Sequence, residues 1–260
     1  HGAGADGPGR MATLGWDLEY TSPTALLSFL DQILFRGMND FITDAAAPVI
    51  VDCGANIGYT ALHYKRQFPS ARIIAFEPDP QFLPLLQVNL QRNGASDVQV
   101  VPAAAWIRDG EARWVMEGKD GSRLAQNEEA PRTTVRTVDL SAFLADPVDL
   151  LKLDIEGAEF EVVPHLAPVL HRVQNVVVEC HITDQANYAG LARIMTSLGE
   201  AGFQISVNSY GPWRDLIRRH TPEPLHAHQY LVVYGWRGHR PAASTEQTFL
   251  PYVGLTHFRE

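Results

Sequence analysis

The hydrophobic positions of the chain change period repeatedly along its length. Residues 24–36 (T-A-L-L-S-F-L-D-Q-I-L-F-R) put Leu26, Leu27, Leu30, Ile33 and Leu34 on one helical face. V-I-V-D at 49–52 reads as a buried strand, residues 56–68 as a helix, and R-I-I-A-F-E at 72–77 as a second strand. A helix over 80–92 follows, opened by Pro80 and closed by Asn93-Gly94. V-Q-V-V at 98–101, V-D-L-L-K-L-D at 148–154 and N-V-V-V-E-C-H at 175–181 supply three further strands, with helices over 158–171 and 185–200. F-Q-I-S-V at 203–207 and Q-Y-L-V-V-Y at 229–234 have no helix between them, which predicts a closing antiparallel pair. Residues 107–139 break the alternation and read as a hairpin excursion, with strands at 112–117 and 133–138 and a turn at Lys119-Asp120-Gly121.

Strand–helix alternation of this kind predicts an α/β fold around a mostly parallel sheet with helices on both faces. The 260 residues lack a mid-chain linker and an internal repeat, which favours one main domain. Four stretches are expected: residues 1–10 as an appended leader ahead of Met11, 11–47 as an N-terminal helical segment, 48–236 as the main domain, and 237–260 as a polar tail.

Composition narrows the function classes. With 45% hydrophobic and 20% charged residues the chain is globular, and no apolar run is long enough to span a membrane. A net charge of -9 disfavours nucleic acid as a partner. No basic region leads into an apolar stretch, so the expected compartment is the cytoplasm. Two cysteines, Cys53 and Cys180, cannot form a disulfide scaffold and are read as buried packing residues.

The candidate chemistry gathers at predicted strand ends. In V-I-V-D-C-G-A-N-I-G at 49–58 a strand runs into a glycine turn and then a helix. Gly54 permits the turn and the close approach of a ligand, and Gly58 keeps the first helical turn uncrowded. The dinucleotide fingerprint G-x-G-x-x-G is not met, because positions 56 and 59 are Asn56 and Tyr59. Asp52 at the strand end suits a cationic amine rather than a pyrophosphate. Glu77, 25 residues later, ends the next strand, where a carboxylate accepts from ribose hydroxyls. The two motifs together indicate a nucleoside ligand at the C-terminal edge of the sheet.

D-C-G-A-N-I-G-Y-T, A-F-E-P-D, L-L-K-L-D-I-E-G-A-E at 150–159 and V-V-V-E-C-H at 176–181 resemble the FkbM family of class I S-adenosylmethionine-dependent methyltransferases. The resemblance covers about residues 48–182. It implies a seven-stranded Rossmann-like sheet of order 3-2-1-4-5-7-6, and S-adenosylmethionine as cofactor. It further implies that Asp52, Gly54, Ala55, Asn56 and Gly58 surround the methionine part, that Glu77 holds the ribose with Pro78 and Asp79 flanking it, and that Ala104 faces the adenine. Trp106 reads as packing.

Methyl transfer needs an acceptor held in line and relieved of a proton. The ends of strands four and five offer Asp154, Glu179 and His181 for that work. The expectation is a base set without a metal; the alternative is that the same three residues hold a divalent metal. Glu156 and Glu159 are expected to cap the following helix and Lys152 to be structural. The long connection 208–228 is expected to overhang the site as a lid, with Asn208, Tyr210, Trp213 and Arg214 touching substrate and Arg218, Arg219, His220, His226 and His228 nearby. Helix 24–36 either covers the pocket or forms a homodimer surface.

The resulting expectation is an O-methyltransferase acting on a hydroxyl of a natural product, glycan or glycolipid, so the partner is a small-molecule or carbohydrate acceptor. Amide or amine acceptors, a nicotinamide dehydrogenase and a non-catalytic cofactor-binding module are the competing readings.

Overall fold

A computed structural model of the chain describes residues 7–115, 123–124, 132–183, 185–210 and 229–238. The chain opens with an antiparallel hairpin, β1 (Gly9–Thr13) and β2 (Trp16–Tyr20), followed by α1 (Pro23–Phe29). Ser22 Oγ caps α1 by accepting from the Ala25 N–H at 3.1 Å, and the helix continues as a π-helical segment over Leu30–Phe35. Next come β3 (Val49–Cys53), α2 (Tyr59–Gln67), β4 (Arg72–Phe76), α3 (Leu83–Arg92) and β5 (Gln99–Val101). A side sheet is built from β6 (Ala104–Trp106), β7 (Gly110–Val115), β8 (Arg123–Leu124) and β9 (Arg132–Asp139). The chain returns to the main sheet with β10 (Val148–Leu153), α4 (Glu159–His165), β11 (Val173–Ile182), α5 (Ala186–Glu200), β12 (Gln204–Tyr210) and β13 (Gln229–Trp236).

The main sheet is seven-stranded in the order β12-β13-β11-β10-β3-β4-β5, which is the predicted 3-2-1-4-5-7-6 read from the other edge. β13 pairs antiparallel with both β11 and β12, and the remaining pairs are parallel. Two apolar clusters cover its faces. Val51, Cys53, Leu151 and Leu153 belong to one, Ile50, Ile73, Ala75 and Leu150 to the other. Successive residues of a strand point to opposite faces, so Asp52 and Lys152, register partners on β3 and β10, share the face of Ile50 and Leu150. Strand order reverses between β3 and β10, where α/β sheets place ligands.

Several predicted bounds shift for local reasons. The helix expected over 56–68 begins at Tyr59, because Asn56 and Gly58 have φ of +48° and +93°. The one expected over 80–92 begins at Leu83 and carries its proline, Pro84, in the first turn. The one expected over 158–171 stops at His165, beside Pro164, and a separate 3-10 turn covers Leu170–Arg172. The β1–β2 hairpin was not predicted: β1 is mostly exposed and shows no apolar period. The predicted hairpin strands of the excursion pair antiparallel as β7 and β9; its turn and the tail from 239 lie outside the described residues. No helix among the described residues is long and apolar enough to cross a membrane.

Candidate active site

A cavity of about 520 Å³ opens at the C-terminal ends of β3, β4, β10 and β11. Its floor is the glycine turn. Gly54 has φ of +83°, and a Cβ added there would lie 1.8 Å from the carbonyl oxygen of Asp154. The N–H groups of Gly54 and Ala55 both donate to the Phe76 carbonyl, at 3.1 and 2.9 Å. The turn is thus clamped between the ends of β10 and β4, and only glycine fits. Gly54→Ala is expected to destabilise the protein by at least about 2 kcal/mol, since left-handed strain and overpacking act together. Urea unfolding checks this, and an unchanged midpoint would contradict the clamp.

Beside the turn, Glu77 is 4% exposed and lines the cavity. Its Oε2 accepts from the Asn56 N–H at 2.8 Å and its Oε1 from the Asp79 N–H at 2.7 Å. Burial pushes its carboxyl up to about 8, against the downward pull of those two donors. Between its ordinary value of 4.5 and about 8 the folded protein therefore holds a proton that the unfolded chain releases, and stability falls as pH rises through that window. Glu77→Gln is expected to flatten the decline of Tm with pH in the ligand-free protein; equal slopes in the two proteins would contradict this.

At the ends of β10 and β11 the charged groups converge. Lys152 Nζ lies 3.3 Å from Asp52 Oδ1 and 3.5 Å from Asp154 Oδ2, and donates to the Gly54 carbonyl at 2.8 Å. Burial alone would lower its ammonium, but the carboxylates of Asp52, Asp154 and Glu179 outweigh burial and raise it. His181 Nε2 stands 3.3 Å from Glu156 Oε2 and 3.8 Å from Asp154 Oδ1. Burial opposes its charge as well, yet Glu159, Glu156 and Asp154 push the imidazole up to about 10. Burial, reinforced by neighbouring carboxylates, pushes Glu179 up to about 7 and Glu156 up to about 8. The carboxylates around His181 therefore favour its protonated form.

The predicted residues are distributed unevenly over this cavity. Gly54, Ala55, Asn56, Glu77, Pro78, Ala104, Asp154, Glu179 and His181 all line it. Asp52 and Gly58 are not on its wall. Asp52 is fully buried behind Lys152, whose ammonium meets its charge inside the protein. Gly58 starts α2, and a Cβ there would meet Leu86 Cδ1 at 2.7 Å. Trp106 packs against the core, as read from the sequence. Cys53 and Cys180 are free buried thiols that burial pushes well up, which suits packing.

Asn208 is exposed on the edge strand β12, away from the cavity wall, and the backbone of Tyr210 ends that strand. Trp213, Arg214, Arg218, Arg219, His220, His226 and His228 lie outside the described residues. Among the described residues, α1 and its π-helical extension roof the cavity, with Ser28, Phe29, Asp31 and Gln32 lining it. The 28, 31, 32 spacing of polar residues along a helix was the available signal.

Two further cavity residues, Trp114 and Tyr230, escaped sequence reasoning, and Glu156 was read as a helix cap. Trp114 joins Ala104 and Val135 in a small buried cluster, and its Nε1 donates to Asp79 Oδ2 at 3.2 Å. Tyr230 lies edge-on to His181 with ring centroids 5.2 Å apart. Glu156 does not cap α4: it adopts φ of +55° and turns its carboxylate to His181. Glu159 does open α4, but its oxygens accept from the Gly157 and His181 N–H groups, at 2.9 and 3.1 Å.

Comparison with known proteins fits this geometry. The methyltransferase FkbM domain model matches residues 52–220. Methyltransferase 1 of Beauveria bassiana is 30% identical over 185 residues, covering 61% of this chain and 73% of its own length. Methyltransferase sdnD of Sordaria araneosa is 32% identical over 170 residues, covering 51% of this chain and 66% of its own. The crystal structure of methyltransferase FkbM from Methylobacillus flagellatus superposes with a TM-score of 0.50 at 18% identity, covering 75% of this chain. The chain spans 45% of that crystallised protein, and the likeness shows the fold.

Proposed function

Because the chain belongs to the FkbM family of methyltransferases, we propose that it is an S-adenosylmethionine-dependent O-methyltransferase acting on a hydroxyl of a natural product, glycan or glycolipid. The observation that carries this reading is the arrangement of one cavity. Glu77 and the glycine turn line one side, and Asp154, Glu179 and His181 line the other.

The residues fit the cofactor. The clamped glycine turn presents Gly54, Ala55 and Asn56 to the cavity, and the Glu77 oxygens, each holding one N–H, keep lone pairs for the ribose hydroxyls. Ala104 and Trp114 offer an apolar surface for the adenine. When bound, S-adenosylmethionine supplies a methyl group on a cationic sulfur, which keeps the electron pair of the breaking C–S bond as the new bond to the acceptor forms.

The chain's own residues hold the acceptor in line and receive its proton. The Asp154 carboxylate orients the acceptor hydroxyl, and the Glu179 carboxylate takes the proton as the oxygen attacks. Asp154, Glu156, Glu159 and Glu179 face His181 and Lys152, so carboxylates outnumber cations, and a sulfonium is electrostatically welcome there. The roof residues Ser28, Asp31 and Gln32 present donors and acceptors suited to a hydroxyl-bearing acceptor.

The test is turnover with 13C-methyl-labelled S-adenosylmethionine against matched panels of glycoside, alcohol, amide and amine acceptors. The expected product shows the 13C shift of a methyl ether. A product with the label on nitrogen, or cofactor binding with no turnover on any panel, would replace this reading by one of its competitors.

A further inference from the structure

The turn after β10 holds side chains that methyl transfer alone leaves unexplained. Its backbone is left-handed at both Glu156 and Gly157, with φ of +55° and +96°, and this brings the Glu156 carboxylate to His181. One ligand atom from each of Asp154, Glu156 and His181 lies within 4.8 Å of the other two. His181 is 8% exposed, and its Nδ1 has no hydrogen-bond partner. That nitrogen faces Glu159 Oε1 at 3.5 Å, while Nε2 is aimed between Glu156 and Asp154. Glu159 is fully buried and fixed by the two backbone N–H groups it accepts from. A fixed carboxylate behind one ring nitrogen, with the other nitrogen turned to further carboxylates, is how proteins orient a metal-binding imidazole.

We propose that Asp154 Oδ1, Glu156 Oε2 and His181 Nε2 hold a divalent cation of the magnesium or manganese class, with its remaining positions open to water and to the acceptor oxygen. Two carboxylate oxygens and one imidazole suit manganese and admit magnesium; there is no thiolate in the set to select zinc or copper(I). The open positions face the cavity, because all three residues line it. The ion neutralises the local gathering of carboxylates. The sequence led to the expectation of no metal, with Asp154, Glu179 and His181 as the alternative ligand set; here Glu156 takes the place of Glu179, which lines the same cavity but stands outside the cluster. The use of the ion rests on the O-methyltransferase reading, since an acceptor hydroxyl bound to it gives up its proton more readily and Glu179 is left to receive that proton.

Binding is tested without acceptor or turnover, by titrating the whole protein with Mn2+ and following the loss of the free-ion electron paramagnetic resonance signal. One saturable site is expected. Glu156→Gln and His181→Asn should each weaken it by at least about 10-fold, and Glu159→Gln by about 10- to 100-fold. Circular dichroism on each variant confirms folding, and the volume-conserving Glu156→Gln keeps the test open if His181→Asn unfolds. No saturable binding up to about 1 mM Mn2+ would overturn the proposal. So would unchanged affinity in Glu156→Gln. Titration of the same samples with S-adenosylhomocysteine separates the two readings. Nucleoside binding without Mn2+ binding removes the metal site alone. Mn2+ binding without nucleoside binding supports the metal site and removes the methyltransferase reading.

Discussion

Asp154→Asn is expected to lower kcat by at least about 10²-fold while cofactor affinity stays within a few fold. The split follows from which atoms do which work. The carbonyl oxygen of Asp154 packs on Gly54 and its N–H donates to the Cys53 carbonyl, so the backbone that shapes the cofactor cradle is untouched by the change. The carboxylate is what faces His181 at 3.8 Å and Lys152 at 3.5 Å. Asn keeps the volume and one acceptor oxygen but loses the charge, both as a partner for the acceptor hydroxyl and as a ligand for a cation. Steady-state kinetics beside a cofactor titration checks both halves. Full activity in the variant would remove Asp154 from the chemistry, and a large loss of cofactor affinity would move it to the cradle.

Lys152→Met is expected to cost about 3–5 kcal/mol of stability, the range for removing one partner of a buried ion pair. Lys152 and Asp52 are register partners on adjacent central strands, 3% and 0% exposed. Neither Asp52 oxygen accepts a hydrogen bond, so the ammonium 3.3 Å away is the compensation its charge has. Methionine fills the space and leaves a bare carboxylate in the sheet. The double variant Asp52→Asn, Lys152→Met should therefore recover part of the loss, which a double-mutant cycle in urea reads as coupling. A loss below about 1 kcal/mol in the single variant would mean that water or a proton neutralises Asp52 instead.

The strands of the main sheet were legible because they are apolar runs of distinct period, and because V-I-V-D, R-I-I-A-F-E and L-L-K-L-D each end in the carboxylate or turn that marks a strand terminus; their order in the sheet came from the resemblance to the FkbM family. The closing antiparallel pair was legible because the sequence between 207 and 229 shows no helical period. Contacts that depend on three-dimensional neighbours were not. Asp52 reads as a ligand group at the end of a strand, and only the register with Lys152 shows its charge already met. Glu156 reads as a helix-capping acid, because propensity gives no warning that a non-glycine residue will take φ of +55°. Trp114 reaches the cavity from the side sheet, whose path back to Asp79 no local pattern encodes. The roof was visible as a helix, but its inward face became known only from the cavity it closes.

A crystal structure of the protein with S-adenosylhomocysteine shows directly how the cavity holds the cofactor. The expected structure has the ribose hydroxyls on Glu77, the adenine against Ala104 and Trp114, and the thioether sulfur turned towards Asp154 and His181. A nucleoside bound elsewhere, or one in the cavity with Glu77 away from the ribose and the sulfur turned from Asp154, would contradict it.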